Sequence, residues 1–184
     1  MPGPHDLADG YTESVIAERA EKDESYAHAP DSPIPEAERA SFLGLAYYPV
    51  DVAYRIEGIE LEPYEGVEPE TFDMPTSKDD LRRAGRAGTL RFTLGGQSCR
   101  LTAYDMGGGP LFVPFLDATS GTDTYGAGRY LDPEPAEDDT YTLDFNVAYH
   151  PYCAYNPRYS CPLTPAENRL AIRVEAGERL PDRT

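Results

Sequence analysis

The sequence predicts a mainly β protein: an antiparallel β-barrel or sandwich, preceded by one N-terminal helix and threaded with long Pro/Gly-rich loops. Three observations predict it. Several short runs alternate apolar and polar residues, as strands with one buried face do. Eighteen Pro and sixteen Gly in 184 residues punctuate the chain too often for a helical bundle. Only Tyr11–Tyr26 reads as a helix, with Thr12 as its N-cap and Val15, Ile16, Arg19, Ala20 and Asp23 on or near one side.

In chain order, residues 1–10 are too polar and Pro/Gly-rich to bury anything and are expected to be disordered. The rest, 11–184, is expected to form a single domain: helix 11–26, an extended connector over 27–45 opened by Pro30, Pro33 and Pro35, and a β domain over 46–180. Val52, Tyr54 and Ile56 alternate, and Ile59 and Leu61 continue the pattern after Gly58. The clearest unit is a hairpin: Leu90, Phe92 and Leu94, then Gly95-Gly96, then Cys99, Leu101 and Ala103. Leu111-Phe112-Val113 is a third apolar run. Tyr141, Leu143 and Phe145 predict a strand whose other face holds Thr142, Asp144 and Asn146. Leu170, Ile172 and Val174 predict the last.

Charge narrows the functional classes. Acids outnumber bases 33 to 16 for a net −17, and all the bases but Lys22 and Lys78 are Arg. The acids are spread along the chain, not gathered in a tail. At molar salt the Debye length falls to about 3 Å, which screens their self-repulsion. The composition therefore predicts a protein of a salt-loving cytoplasm. Nucleic acid is excluded as partner because no basic stripe is present to neutralise phosphates, and a membrane partner is excluded too: an anionic surface is disfavoured and no apolar run approaches the ~20 residues of a spanning helix. The N-terminus lacks a secretory pattern and three Cys make an odd number, so free thiols are expected over a disulfide framework.

The chemistry-bearing residues gather between Leu111 and Asn168. PFLDATSGTDTYGAGRYLD (Pro114–Asp132) offers backbone N–H groups and hydroxyls around Asp117 and Arg129, suited either to cradling an oxyanion or to locking a loop. It lacks the order of a phosphate-binding P-loop. LDFNVAYHPYCAYNPRYSCPLTPAENRLAIRVEAGE (Leu143–Glu178) follows. With SPIPEAERASFLGLAYYP (Ser32–Pro49), these motifs make the chain resemble domain-of-unknown-function family 1684, as a haloarchaeal member. The resemblance implies no established activity. It marks Asp117, Thr119, Ser120, Gly121, Thr124, Tyr125, Gly126, Arg129, Asp144, Phe145, Asn146, Tyr149, Pro151, Cys153, Cys161, Pro162 and Asn168 as pattern positions. The family pattern resembles AYNP where this chain has Ala148-Tyr149-His150-Pro151, which makes His150 a poor candidate for an essential base or metal ligand of the whole family.

From these residues the leading expectation is a small-molecule site in a barrel mouth or lumen, lined by Asp117, Thr124, Tyr125, Arg129, Asp144 and Asn146, with no cofactor or metal. The alternatives are a structural or interaction protein in which the same residues staple a loop-rich core, with Arg129 paired to Asp117 or Asp144, and a cofactor-free hydrolase. His150, Cys153 and Cys161 have zinc-like spacing but lack a fourth ligand nearby. Burial as small apolar groups is the commoner fate of such thiols, and a short-loop disulfide is the third option. A flavin has no support beyond Arg129 and the Gly/Thr loop. The tyrosines from Tyr104 to Tyr159 suit either stacking on a ring or packing on proline.

Overall fold

The computed structural model describes residues 4–182. Its first element, α1, spans Pro4–His28. The expectation of disorder over 1–10 is thus corrected for residues 4–10, and residues 1–3 lie outside the described residues. Proline is tolerated in a first turn, where an N–H has no intrahelical acceptor, and one glycine, Gly10, does not break a helix continuing on both sides. The inward face differs too. Val15 and Tyr26 are buried and Arg19 and Lys22 partly so, whereas Ile16 is 55% exposed and Ala20 is also outside.

The connector is not fully extended. It holds the one-turn α2 (Glu36–Arg39), and the Arg39 guanidinium gathers it by donating to Ile34 O and Ala29 O, both at 3.0 Å. Ten strands follow among the described residues: β1 (Ala46–Tyr47), β2 (Arg55–Ile59), β3 (Leu61–Glu62), β4 (Thr71–Pro75), β5 (Leu81–Leu94), β6 (Gln97–Asp105), β7 (Val113–Phe115), β8 (Arg129–Leu131), β9 (Tyr141–Asp144) and β10 (Glu178–Arg179). Every ladder between them is antiparallel.

The long strand β5 organises the sheet. Gly85 pairs with Thr71 of β4 and with Asp105 of β6, so those strands flank opposite edges. β5 and β6 form the expected hairpin, turning at Gly95-Gly96 with φ of 58° and 76°, the left-handed conformations a two-residue turn requires. Pairing continues from Tyr104 to Phe112, through β7–β8, and from Tyr130 to Tyr149. β2 pairs with β9 and β1 with β10 in two further ladders. These sheets are open: the fold is mainly β with one long helix, and the described strands do not close into a barrel. No helix among the described residues is long and apolar enough to cross a membrane.

Two apolar clusters fill the interior. The larger includes Leu90, Phe92, Leu101, Val113, Phe115, Leu143, Phe145, Leu170 and Val174. The smaller gathers Met74, Ala84, Tyr104, Phe112 and Tyr130. Two expected strands change at their ends. The strand at Tyr141 stops at Asp144, whose carboxylate accepts the Asn146 N–H at 3.0 Å and caps a 3-10 turn over Phe145–Val147. Leu170–Val174 is buried at Leu170 and Val174 and half-buried at Ile172, but is no strand: single backbone bonds tie Leu170 to Leu116 and Ile172 to Ala118, and from Val174 onward side chains take the place of a neighbouring strand.

Candidate functional site

Arg129 is the largest of those side chains. Gly128 places it: with φ of 101°, a Cβ there would lie 2.5 Å from Phe115 O, so only glycine lets the chain pass so close before β8. The Arg129 side chain is fully buried and donates to three alternate carbonyls of the C-terminal segment: Val174 O at 2.8 Å, Glu178 O at 3.1 Å, and Ala176 O. Val174 and Ala176 are alternate residues, which point the same way, and Gly177, with φ of 74°, bends the chain before Glu178, whose carbonyl meets the same guanidinium. One guanidinium fork therefore satisfies the edge that a strand would otherwise cover.

Asp117 completes this knot. Its carboxylate accepts from Arg129 Nη2 at 3.3 Å, from the Val174 N–H at 2.7 Å, from the Thr119 N–H at 3.2 Å, and from the hydroxyls of Thr119 and Ser120. Thr124 Oγ1 meets Thr119 Oγ1 at 2.9 Å. Asp117, Thr119, Thr124 and Arg129 are all at most 2% exposed. A buried ion pair is tolerated when its remaining donors and acceptors are satisfied, and here all but Arg129 Nε are.

Two asparagines repeat the device. Asn168 accepts from Thr102 N and donates to Thr102 O, each at 2.8 Å, and also donates to Pro114 O at 2.8 Å. Asn146 accepts from Asp51 N at 2.9 Å and donates to Asp51 O at 2.8 Å. A carboxamide presents the same donor and acceptor as a peptide unit, so each pairs with one residue as a strand neighbour would. Both are fully buried.

The expected ligand set therefore divides. Asp117, Thr124 and Arg129 lie in the knot and Asn146 in its own staple. Asp144 stays beside Asn146, accepting its N–H at 3.0 Å and its Nδ2 at 3.2 Å, but away from the knot, paired with Arg55 at 2.9 Å and accepting the Tyr11 hydroxyl of α1 at 2.7–2.8 Å. Of the two partners weighed for Arg129, Asp117 is the one it meets. Tyr125 is partly exposed, its ring beside Cys153 with Oη 3.8 Å from Sγ. The six do not converge on one cavity.

His150 is buried, and burial pushes it down to about 3, so it is neutral; its Nε2 accepts the Tyr125 N–H at 3.2 Å. Glu178, 1% exposed, accepts from Lys22 Nζ, from the Tyr155 hydroxyl and from the His150 N–H at 2.7 Å. The three cysteines are free thiols. The Cys153 N–H points at Cys161 Sγ at 3.3 Å, and burial pushes the Cys161 thiol up to about 11. Among the described residues no three of His, Cys, Asp and Glu are grouped to hold a metal.

Open space lies elsewhere. A cleft of about 910 Å³ runs between α1 and β2–β9, lined by Tyr11, Ser14, Glu18, Arg55, Glu57, Asp132, Glu134 and Asp144 among others. A second, of about 670 Å³, is lined by Tyr26, Tyr130, Tyr149, Tyr152 and Tyr159 with Phe112, Met106, Cys161, Pro151 and Pro162. Its tyrosines pack edge to face: Tyr152 on Tyr159 at 5.2 Å, Tyr130 on Tyr149 at 5.7 Å, Tyr26 on Tyr152 at 6.1 Å. Its charged residues are Lys22 and Arg82; no Asp or Glu lines it. Lys22 Nζ stands 4.9 Å from the Tyr149 ring, and Arg82 donates to Ser160 O at 2.9 Å.

Four tyrosines of this cleft, Tyr130, Tyr149, Tyr152 and Tyr159, were visible in the sequence as a ring-stacking option; Tyr26 was not among them. Lys22 and Arg82 were not connected to them, because they arrive from α1 and β5, far away in the chain.

No curated protein matches the chain. Among solved structures it is similar to an uncharacterized protein of Haloarcula marismortui determined by solution NMR. The two are 41% identical over 94% of this chain and 95% of that one, with a TM-score of 0.69. The model of a family described as proteins of unknown function, DUF1684, matches residues 40–179. That match takes in every strand and both C-terminal motifs, and the chain belongs to the DUF1684 family.

Proposed function

We propose that this protein binds a small ring compound carrying an anionic group, in the tyrosine-lined cleft, on a scaffold read as an open β-sandwich. One observation carries the proposal: in a chain with 33 acids and 16 bases, a 670 Å³ cleft has only cations among its charged lining residues. Aromatic walls favour a planar ligand, and Arg82, which makes no ion pair among the described residues, supplies a planar fork for a carboxylate, sulfonate or phosphate. The absence of carboxylates removes the repulsion an anion meets over the rest of the surface. The salt-rich cytoplasm inferred from composition fits this arrangement, since contacts inside the cleft are less screened than charges on the surface.

The test is titration of the protein with naphthalene-1-sulfonate, followed by calorimetry and by the NMR signals of the tyrosine rings, with neutral 1-naphthol and methanesulfonate as controls. The sulfonate is expected to bind and to shift rings of the cleft, and Arg82→Ala to weaken it about tenfold, the loss of one charge-assisted contact. Equal binding by the Arg82 variant, or no binding of the sulfonate, ends the proposal.

A second reading, a structural or interaction protein without a ligand, is favoured by the knot itself: Asp117, Arg129, Asn146 and Asn168 direct their hydrogen bonds largely at backbone. A hydrolase fits less well. Neither neutral, buried His150 nor the raised Cys161 thiol is poised to act as base or nucleophile.

A further inference from the structure

The N-terminal helix sits on the body in an unusual way. From Asp9 to His28 it carries six acids against Arg19 and Lys22, and only Val15 and Tyr26 of that stretch are buried. A helix held by its core face normally shows an apolar stripe; this one is held by polar pins. Tyr11 Oη donates to Asp144, Arg19 donates to Tyr48 O at 2.8 Å and to Asn146 O at 2.9 Å, Lys22 pairs with Glu178, and Asp23 accepts the Leu45 N–H at 3.0 Å. Such bonds are nearly matched by bonds to water when the helix lifts. Glu178 would keep the Tyr155 hydroxyl and the His150 N–H.

Beneath the helix is a row of openings instead of a packed surface. Tyr11, Ser14, Val15 and Glu18 roof the 910 Å³ cleft; Val15, Glu18, Arg19 and Lys22 roof a small one of about 180 Å³; Lys22 and Tyr26 wall the tyrosine cleft. The strand ladders form without α1, and the family match begins at residue 40, past both helices.

We infer that α1 is a displaceable strap whose docking completes the tyrosine cleft and rises with salt. Docking brings Lys22 and Tyr26 to the cleft, so strap position and ligand affinity are linked reciprocally. It also lays an acidic helix over a cleft holding Glu57, Asp132, Glu134 and Asp144 against the single cation Arg55, which pairs with Glu57 and Asp144. That repulsion is long-range and vanishes as the Debye length shrinks, whereas the pins, short and partly buried, are screened less. The ligand half of this inference rests on the proposed function; the strap half does not.

The experiment is hydrogen exchange by mass spectrometry on the full ligand-free chain in dilute and in molar KCl. The α1 amides are expected to exchange at least about tenfold faster than those of the β5–β6 hairpin in both, and about tenfold faster in dilute than in molar salt. Arg19→Ala should speed α1 exchange further and leave the hairpin unchanged; Lys22→Gln is the second variant should Arg19→Ala lose the fold. Protection of α1 equal to the hairpin, no salt dependence, or loss of hairpin and helix protection in step all overturn the strap. Adding naphthalene-1-sulfonate in molar salt should slow α1 exchange. If the sulfonate fails to bind while α1 still shows its salt-dependent exchange, the ligand reading falls and the strap stands; if it binds without slowing α1, the linkage falls alone.

Discussion

Arg129→Met removes the guanidinium and keeps most of the volume. Three carbonyls, Val174 O, Ala176 O and Glu178 O, lose their donor, at a net cost of about 1 kcal/mol each. Asp117 becomes a buried carboxylate without its cation, which in other proteins costs about 3–5 kcal/mol. Here the penalty falls below that range, to about 1–2 kcal/mol, because the Val174 and Thr119 N–H groups and two hydroxyls remain on it. The sum is about 4–5 kcal/mol, a third or more of the stability of an ordinary domain. At about 2–4 °C per kcal/mol for a chain of this size, the melting temperature should fall by about 10–20 °C. Adding Asp117→Asn should recover about 2 kcal/mol. Its Oδ1 can keep the two backbone N–H bonds while its Nδ2 donates to the Thr119 and Ser120 hydroxyls, and no charge is left buried. Thermal and urea unfolding in molar KCl, followed by tyrosine near-UV circular dichroism, measures both. A loss below about 1 kcal/mol for Arg129→Met, or a double variant no more stable than the single one, refutes the account of the knot.

Asn168→Ala leaves Thr102 N, Thr102 O and Pro114 O unpaired and should cost about 2–4 kcal/mol in the same unfolding assay. His150 is held well below its usual 6.5, at about 3, by burial. The unfolded chain therefore takes up a proton near pH 6.5 that the folded chain refuses. His150 adds no pH dependence above that value, and stability falls by up to about 1.4 kcal/mol per pH unit from pH 6.5 toward 3. His150→Asn should remove that part of the slope while keeping an acceptor for the Tyr125 N–H; unchanged acid sensitivity in the variant counts against it. Cys161, raised to about 11 by burial, should resist iodoacetamide in the folded protein at neutral pH and react on unfolding. Peptide mapping of the alkylated protein decides this, and rapid labelling of Cys161 in the folded state contradicts it.

The hairpin at Gly95-Gly96 was legible because alternation and turn chemistry agree on both sides of it. The first half of β5 was not. Leu81–Gly88 presents Arg, Ala and Gly in place of an alternating apolar set, and becomes a strand only because β4 and β6 border it. Leu170–Val174 failed in the opposite sense. Its alternation was real, but period two reports an extended chain with one buried face, not what satisfies its edge. A full ladder gives the same pattern as two single bonds to Leu116 and Ala118 followed by an arginine at Val174. The start of α1 was missed because residues 1–10 offer little to bury, while Pro4 and Gly10 stand where a first turn and a continuing helix tolerate them.

The polar residues of the candidate site were identifiable by type and clustering; their partners were not, and the partners decide the role. A carboxylate or carboxamide can address a ligand or a peptide group with identical geometry. Asn168 meeting both polar atoms of Thr102, and Asn146 both of Asp51, is how such a side chain acts as a missing strand neighbour. In a loop-rich chain, buried peptide groups outnumber the ladders available to pair them, and each must find a partner. The concentration of Asp, Asn, Thr and Arg between Asp117 and Asn168 answers that need. Recognition is thereby displaced to residues the polar motif does not engage: the rings of Tyr149, Tyr152 and Tyr159, which the same segment presents outward, and the two cations that α1 and β5 bring to them. Substitutions in the knot should therefore act on stability, and substitutions at Arg82 or Tyr159 on binding, with little crossing between the two. An Arg82 variant as unstable as Arg129→Met would remove that separation and with it the case for the cleft as a site.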